Sequence, residues 1–258
     1  MKYMRTRISE VLYPAPDHAL LRFTADEPIA GIPGEFVMIR GDWGVHPVLP
    51  RAFSLVESGD TGSVLVKAIG PGTELLAGME EGDELTVFGP LGKGYVVDPD
   101  KTPILVAGGV GVAPLLFLAA ELAAQGRDVI FLYGARTEND LPLSEDIAKV
   151  AQLIVTTENG SVGEKGLITQ PLQKVLAEHP NGQVYTCGPD GMLAAVAKVA
   201  AAAGVSCQVA LEAPMACGMG TCKGCAVPTP DGGYKYVCYD GPVFQAEEIY
   251  GSAEGAAG

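Results

Sequence analysis

Pro103-Ile104-Leu105-Val106-Ala107-Gly108-Gly109-Val110-Gly111-Val112-Ala113-Pro114 is the stretch on which the fold turns. Residues 103–107 form an apolar run of strand length. Three glycines follow, and then 114–125 has helical composition with a single charge. A strand, a glycine turn and a helix in that order open a βαβ unit. Glycines at such a turn let a dinucleotide approach the backbone near a helix N-terminus, where N–H groups lack partners. Pro114 suits the first helical turn, where a missing N–H costs little. The pattern is G-G-x-G-x-A-P and not G-x-G-x-x-G, so the ribose rule of the latter does not carry over.

Downstream the rhythm repeats. Segments 129–133 and 153–156 read as buried strands. Segment 184–186 is another, and it runs through Cys187-Gly188-Pro189 into an alanine-rich helix over 191–203. Strands alternating with helices imply a parallel sheet with covering helices. Both glycine turns then face one crevice at the carboxyl ends of the strands. Gly108, Gly109, Gly111, Gly188 and Pro189 are therefore expected to bind a nicotinamide dinucleotide. Cys187 reads two ways, as a thiol against the nicotinamide ring or as a small buried thiol in a tight turn. Arg136 could reach a 2′-phosphate or sit free at the surface. The neighbouring acids Glu138 and Asp140 tip the expectation to NAD.

Upstream, residues 1–98 change texture. Short β-rich runs at 36–40, 63–68 and 84–88 are separated by Gly and Pro, as in a small antiparallel barrel. Arg51-Ala52-Phe53-Ser54 follows Pro50 and begins a strand. A guanidinium can clamp a pyrophosphate. An aromatic ring can pack on an isoalloxazine, and a hydroxyl can reach its N5 edge. Gly70-Pro71-Gly72-Thr73 opens an expected helix over 73–77, with Thr73 as its cap.

Beyond about 207 the texture changes again. Cys217, Cys222, Cys225 and Cys238 form C-x4-C-x2-C-x12-C, and the first three match the plant-type 2Fe–2S spacing. Three sulfurs from one short loop must converge on two irons, so the backbone has to curl. Gly218, Gly220 and Gly224 are expected to permit that curl and to offer N–H groups to the sulfurs. Cys238 is expected from a hairpin-like return after Asp231-Gly232-Gly233. Structural zinc is the alternative, but zinc ribbons usually show two C-x2-C knuckles and here there is one. Cys207 reads as a buried strand residue.

The 258 residues fit roughly two domains at about 150 residues each. With 48% hydrophobic and 19% charged residues the chain is core-forming, not disordered. A net charge of -14, from 17 basic and 31 acidic residues, argues against nucleic acid. No apolar run reaches the ~20 residues a bilayer span needs, and residues 1–21 are too interrupted by charges and prolines for a signal peptide. The default location is then cytoplasmic, where cysteines serve as ligands or thiols rather than disulfides. His18, His46 and His179 stand alone, as surface or turn residues, and no catalytic acid or base is expected. The tail 251–258 is expected to fray.

R-x-F-S, G-G-x-G-x-A-P and C-G-P in this order resemble the ferredoxin–NADP reductase superfamily. The segments 211–225 (LEAPMACGMGTCKGC) and 237–244 (VCYDGPVF) narrow the resemblance to the electron-transfer subunits of B-type dihydroorotate dehydrogenases, over essentially the whole chain. The resemblance implies a multidomain chain: an antiparallel β-barrel FAD domain (1–98), an α/β parallel-sheet NAD domain (99–206) and a small C-terminal 2Fe–2S module (207–258). It implies FAD, one 2Fe–2S cluster and NAD as cofactors. It also implies a partner, an FMN-containing dihydroorotate dehydrogenase catalytic subunit, in a heterotetramer of two plus two. Arg51, Ala52, Phe53 and Ser54 match the flavin strand, and Leu65, Val66 and Lys67 the adjacent flavin-edge strand. Gly72 and Thr73 match the turn on the FAD phosphates, and the four cysteines match the cluster ligands. Ala52 departs from the proline common there. Similar modules serve in the small subunit of NADH-dependent ferredoxin–NADP oxidoreductases, in some hydrogenases and in self-contained NADH:acceptor reductases. In the first of these the leading cluster ligand is commonly not cysteine, so Cys217 favours the dihydroorotate family.

Overall fold

The computed structural model describes residues 1–251; the expectation for the tail lies, beyond Gly251, outside the described residues. Six strands make the first unit: β1 (Lys2–Ala15), β2 (His18–Ile29), β3 (Phe36–Gly41), β4 (Arg51–Glu57), β5 (Gly59–Lys67) and β6 (Glu84–Leu91), with helix α1 (Pro71–Ala77) between the last two. They close into an antiparallel barrel in the order β1-β2-β5-β4-β3-β6. Alternate residues point inward, so Ile8, Leu21, Phe23, Val37, Ile39, Val64 and Val66 fill the barrel with almost no exposure. Each such side chain withdrawn from water contributes about 1.5–3 kcal/mol before entropy is counted. On β4 all four residues from Arg51 to Ser54 are only partly covered, which leaves this stretch available to a ligand.

The second unit runs β7 (Thr102–Gly108), α2 (Val112–Ala124), β8 (Ile130–Ala135), α3 (Ser144–Val150), β9 (Gln152–Thr157), β10 (Glu164–Lys165), α4 (Thr169–Glu178), β11 (Gly182–Cys187), α5 (Asp190–Ala202) and β12 (Ser206–Ala210). After it come β13 (Ala226–Pro228), β14 (Tyr234–Tyr236), α6 (Val237–Asp240), β15 (Val243–Gln245) and α7 (Ala246–Tyr250). The sheet order is β10-β9-β8-β7-β11-β12-β15. From β7 the chain proceeds outward on one side and later returns to β11 on the other. The topological switch point therefore lies between β7 and β11, where open α/β sheets bind ligands.

The sequence reading closes this unit at 206, but the sheet runs on. β12 lies within it, and β15 adds to β12 as an antiparallel edge strand. The cysteine segment is thus a long excursion from the sheet that returns to seal its edge. Texture along the chain misses this, because the return is only three residues long. His18 also departs from expectation. It starts β2 and is 2% exposed, with Nδ1 2.5 Å from the Pro16 carbonyl. Among the described residues no helix is long and apolar enough to cross a membrane.

Candidate functional site

Two cavities meet where the barrel faces the sheet. The first, of about 670 Å³, is walled by Arg51, Ala52, Phe53 and Ser54 of β4, Leu65 and Lys67 of β5, Thr73, and the segment from Leu211 to Met215. Strand alternation selects Leu65 and Lys67 and turns Val66 into the barrel core, so Val66, expected at a flavin edge, does not line the cavity. Gly72 shapes the site by what it lacks. A Cβ there would come within 2.6 Å of the Arg51 Nε, so the guanidinium occupies the space glycine leaves. Arg51 Nη1 also donates to the Leu49 carbonyl at 2.7 Å. Helix α1 begins at Pro71, two residues before the expected start, because Pro pre-sets φ for a first turn. Thr73 is therefore the third helical residue. Its Oγ1 accepts from the Ile69 and Gly70 N–H groups at 2.9 and 3.1 Å and steadies the turn from inside. A cationic guanidinium, an aromatic ring and a hydroxyl on one wall of a cavity this size fit a flavin nucleotide.

The second cavity, of about 650 Å³, follows the carboxyl ends of the strands. Gly108, Gly109, Gly188 and Pro189 line it, as their turn positions suggest. Gly111 and Cys187 do not. A Cβ on Gly111 would fall 2.3 Å from the Cys187 carbonyl oxygen, so Gly111 exists to let the two turns touch. Cys187 is 1% exposed beside Tyr95, Tyr185 and Ala210, and burial holds its thiol well above the usual range. Of its two readings the buried thiol is the one the fold realises. Tyr133, which no motif flagged, fastens the glycine turn: its hydroxyl lies 2.9 Å from the Gly109 carbonyl and 3.2 Å from that of Pro142.

Lys67, Val110 and Glu212 border both cavities. The Lys67 ammonium is 2.9 Å from Asp140 Oδ1 across the two units. Glu212 follows β12 and faces the open crevice, yet the walls withdraw its carboxyl from bulk water and push its pKa up. It can keep a proton at higher pH than a fully solvated Glu. No sequence motif marks Glu212, because only the tertiary crevice distinguishes it from any surface acid.

From Glu212 the chain leads along the flavin-side wall to Met215 and, two residues on, to Cys217. Gly218 and Gly220, with φ of 69° and 83°, make the curl. Gly224 does not have positive φ; Lys223, at 59°, does instead. The loop sits against the barrel, since a Cβ on Gly218 would meet the Met38 side chain at 2.8 Å and that of Leu91 at 3.1 Å. The hairpin β13–β14 supports the expected return, with Cys238 on the single turn of α6 that follows. The sulfurs fall into two pairs. Cys225 and Cys238 are 3.3 Å apart, and Cys222 borders Cys217, whose sulfur accepts the Cys222 N–H at 3.4 Å. Gly220 and Gly224 N–H groups point at Cys238 and Cys222 at 3.1 and 3.5 Å. Burial pushes Cys238 up to about 12, with the adjoining Cys225 adding to it. At Cys217 burial also pushes upward, but N–H groups of Cys222, Met219 and Thr221 outweigh it and the value is lowered to about 7. Among the described residues no three His, Cys, Asp or Glu side chains are placed to share a single metal ion. Two pairs of thiols ringed by N–H donors fit a two-iron cluster, with two thiolates per iron, better than one tetrahedral zinc.

Residues 212–250 match the iron–sulfur cluster binding domain of dihydroorotate dehydrogenase B, and residues 105–198 match the oxidoreductase NAD-binding domain. The dihydroorotate dehydrogenase B (NAD(+)) electron transfer subunit of Caldanaerobacter subterraneus subsp. tengcongensis is 40% identical over 221 residues, 84% of this chain and 86% of that protein. The chain belongs to the family of dihydroorotate dehydrogenase B electron transfer subunits. A probable family member from Methanopyrus kandleri is 39% identical over 92% of this chain and 87% of its own length. Among solved structures, a chain of the NADH-dependent reduced ferredoxin-NADP oxidoreductase superposes with a TM-score of 0.84 at 28% identity, covering 95% of this chain and 89% of that one. The ferredoxin reductase of carbazole 1,9a-dioxygenase, at 22% identity and a TM-score of 0.71 over 79% of this chain and 66% of that one, shares the fold. The four cluster cysteines fall within the first matched segment, and the two glycine turns that line the second cavity fall within the other.

Proposed function

We propose that this chain is the electron-transfer subunit of an NAD-dependent dihydroorotate dehydrogenase. It carries electrons from the FMN of a catalytic partner subunit through a 2Fe–2S cluster and FAD to NAD+, in pyrimidine biosynthesis. One observation carries the reading. Residues 211–215 wall the first cavity, Glu212 among them also borders the second, and Cys217, the first cluster cysteine, stands two residues on. The cluster cysteines and the two cavities are thus joined by one short segment that follows β12. Flavin, when bound, exchanges hydride with a nicotinamide and single electrons with an iron–sulfur centre.

Arg51, Phe53, Ser54, Leu65, Lys67 and Thr73 would hold FAD. Gly108, Gly109, Gly188 and Pro189 would hold NAD, and Cys217, Cys222, Cys225 and Cys238 the cluster. The chain's own contribution is to bind and orient these groups and to exclude water where the cavities join. No side chain here is needed to take a proton from dihydroorotate, which the catalytic subunit oxidises. The family resemblance supports a two-plus-two assembly, and the thiol content supports a cytoplasmic location.

The test is reconstitution. The purified chain with flavin and cluster should pass hydride from NADH to a dye but leave dihydroorotate untouched. Adding the FMN-bearing subunit should start dihydroorotate-dependent NADH formation. Dihydroorotate oxidation by the chain alone, or no coupling with the partner, would overturn the reading.

A further inference from the structure

The nucleotide cavity has two ends that the sheet order distinguishes. Glu212 stands at the end of β12, beside the flavin-side cavity, and hydride chemistry requires the nicotinamide to lie there. From β12 the strand ends step through β11, β7 and β8 to β9. Four spacings of about 4.8 Å place the end of β9 roughly 19 Å away. A dinucleotide that starts at Glu212 and passes the glycine turns therefore ends with its adenosine beside β8 and β9.

That far end is lined by Gly134, Ala135, Arg136, Thr156 and Glu158. Its backbone is fixed: the Glu158 N–H donates to the Ala135 carbonyl at 3.0 Å and the Asn159 N–H to that of Arg136 at 3.2 Å. The Thr156 hydroxyl is buried at 1% residue exposure and has no hydrogen-bond partner among the described residues. A buried orphan hydroxyl is costly unless a ligand satisfies it. Glu158 is exposed, and its carboxylate has no hydrogen bond or ion pair among the described residues. Of the two acids next to Arg136 in the sequence, Asp140 lines the cavity but is engaged by Lys67 at 2.9 Å and by Thr137 at 3.2 Å, and Glu138 does not line it.

We propose that Glu158 is the specificity-determining residue for NAD over NADP, accepting a hydrogen bond from the adenosine ribose 2′-hydroxyl and repelling a 2′-phosphate. Arg136, 76% exposed and 4.0 Å from Asp140, flanks the same end and would attract that phosphate if Glu158 did not oppose it. A 2′-phosphate carries close to two negative charges at neutral pH. Placed against a carboxylate it loses what the guanidinium offers. A hydroxyl meets no such conflict and can donate. The inference rests on the NAD reading of this cavity.

Calorimetric titration of the flavin- and cluster-loaded protein with NAD+ and NADP+ separates the two ideas without turnover. The unmodified protein should bind NAD+ more tightly. Glu158→Gln should narrow the NAD+/NADP+ affinity ratio by about fivefold or more, mainly through tighter NADP+ binding, on the scale of one like-charge contact near a surface. Glu158→Lys should narrow it further or invert it. Adding Arg136→Ala to Glu158→Gln should abolish the gain. A ratio unchanged within twofold in both Glu158 variants, with NAD+ still bound, overturns the specificity role alone. Failure of the unmodified protein to bind either coenzyme overturns the NAD reading and the inference with it.

Discussion

Lys67 of the barrel and Asp140 of the nucleotide unit form an ion pair of 2.9 Å at the border of the two cavities, with side chains only 30% and 19% exposed. The hydrogen bond from Lys67 is the main reason that the Asp140 carboxyl lies below its ordinary range. A depressed carboxylate contributes stability above its unfolded value, near pH 4, and that contribution fades as pH falls through the folded value. Asp140→Asn should therefore cost about 1 kcal/mol at pH 7, discounted for partial solvation, and clearly less at pH 3. Denaturant melts at both pH values check it; an equal cost at pH 3 would remove the ion pair as the cause.

Arg51 and Gly72 make a second, steric pair. Gly72→Ala places a methyl against the Arg51 guanidinium. Alanine also favours helix α1 by up to about 1 kcal/mol. The variant should thus keep or gain thermal stability while retaining FAD roughly ten- to a hundredfold less well, as should Arg51→Ala, on the scale of one to three kcal/mol for a charge-assisted contact. Flavin-to-protein ratios after dialysis report the effect. Full flavin content in both variants would exclude Arg51 from phosphate binding.

Cys222 is the exposed member of its sulfur pair, so its replacement disturbs little packing. Cys222→Ser should abolish the cluster's visible absorption and electron paramagnetic signal and stop transfer from the partner. FAD content and NADH-to-dye activity should persist. Simultaneous loss of flavin would show that the cluster loop and the flavin cavity do not hold their groups separately.

Glu212 offers the opposite pH signature to Asp140. Desolvation raises its carboxyl, so the folded state favours the protonated form. Such a group contributes stability below its unfolded pKa and loses it as pH rises through the folded value. Relative to the native protein, Glu212→Gln should melt at a similar temperature near pH 4 and at a higher one by pH 7.5. No change in this difference across that range would mean the carboxyl is fully hydrated.

Local spacing explains why much of the site was legible. C-x4-C-x2-C, R-x-F-S and G-G-x-G-x-A-P each specify a turn or strand face within a dozen residues, and sulfur, guanidinium and glycine are chemistries with few other uses in such patterns. The same locality sets the limit. Leu65, Val66 and Lys67 are consecutive and looked alike as candidates, yet a pleat sends Val66 to the core. Gly111 and Cys187 belong to the right turns but face each other instead of the cavity.

Those local motifs, readable from neighbours in the chain, established the cofactor classes and the family. What the order of residues could not convey was proximity across long loops. The return of β15 to β12, the Lys67–Asp140 contact, the crevice around Glu212 and the place of Glu158 at the cavity's far end all arise from segments brought together by burial of the hydrophobic cores. Hydrophobic burial is non-directional and pools contributions from the whole chain, so these contacts exist only once the entire sheet and barrel have assembled.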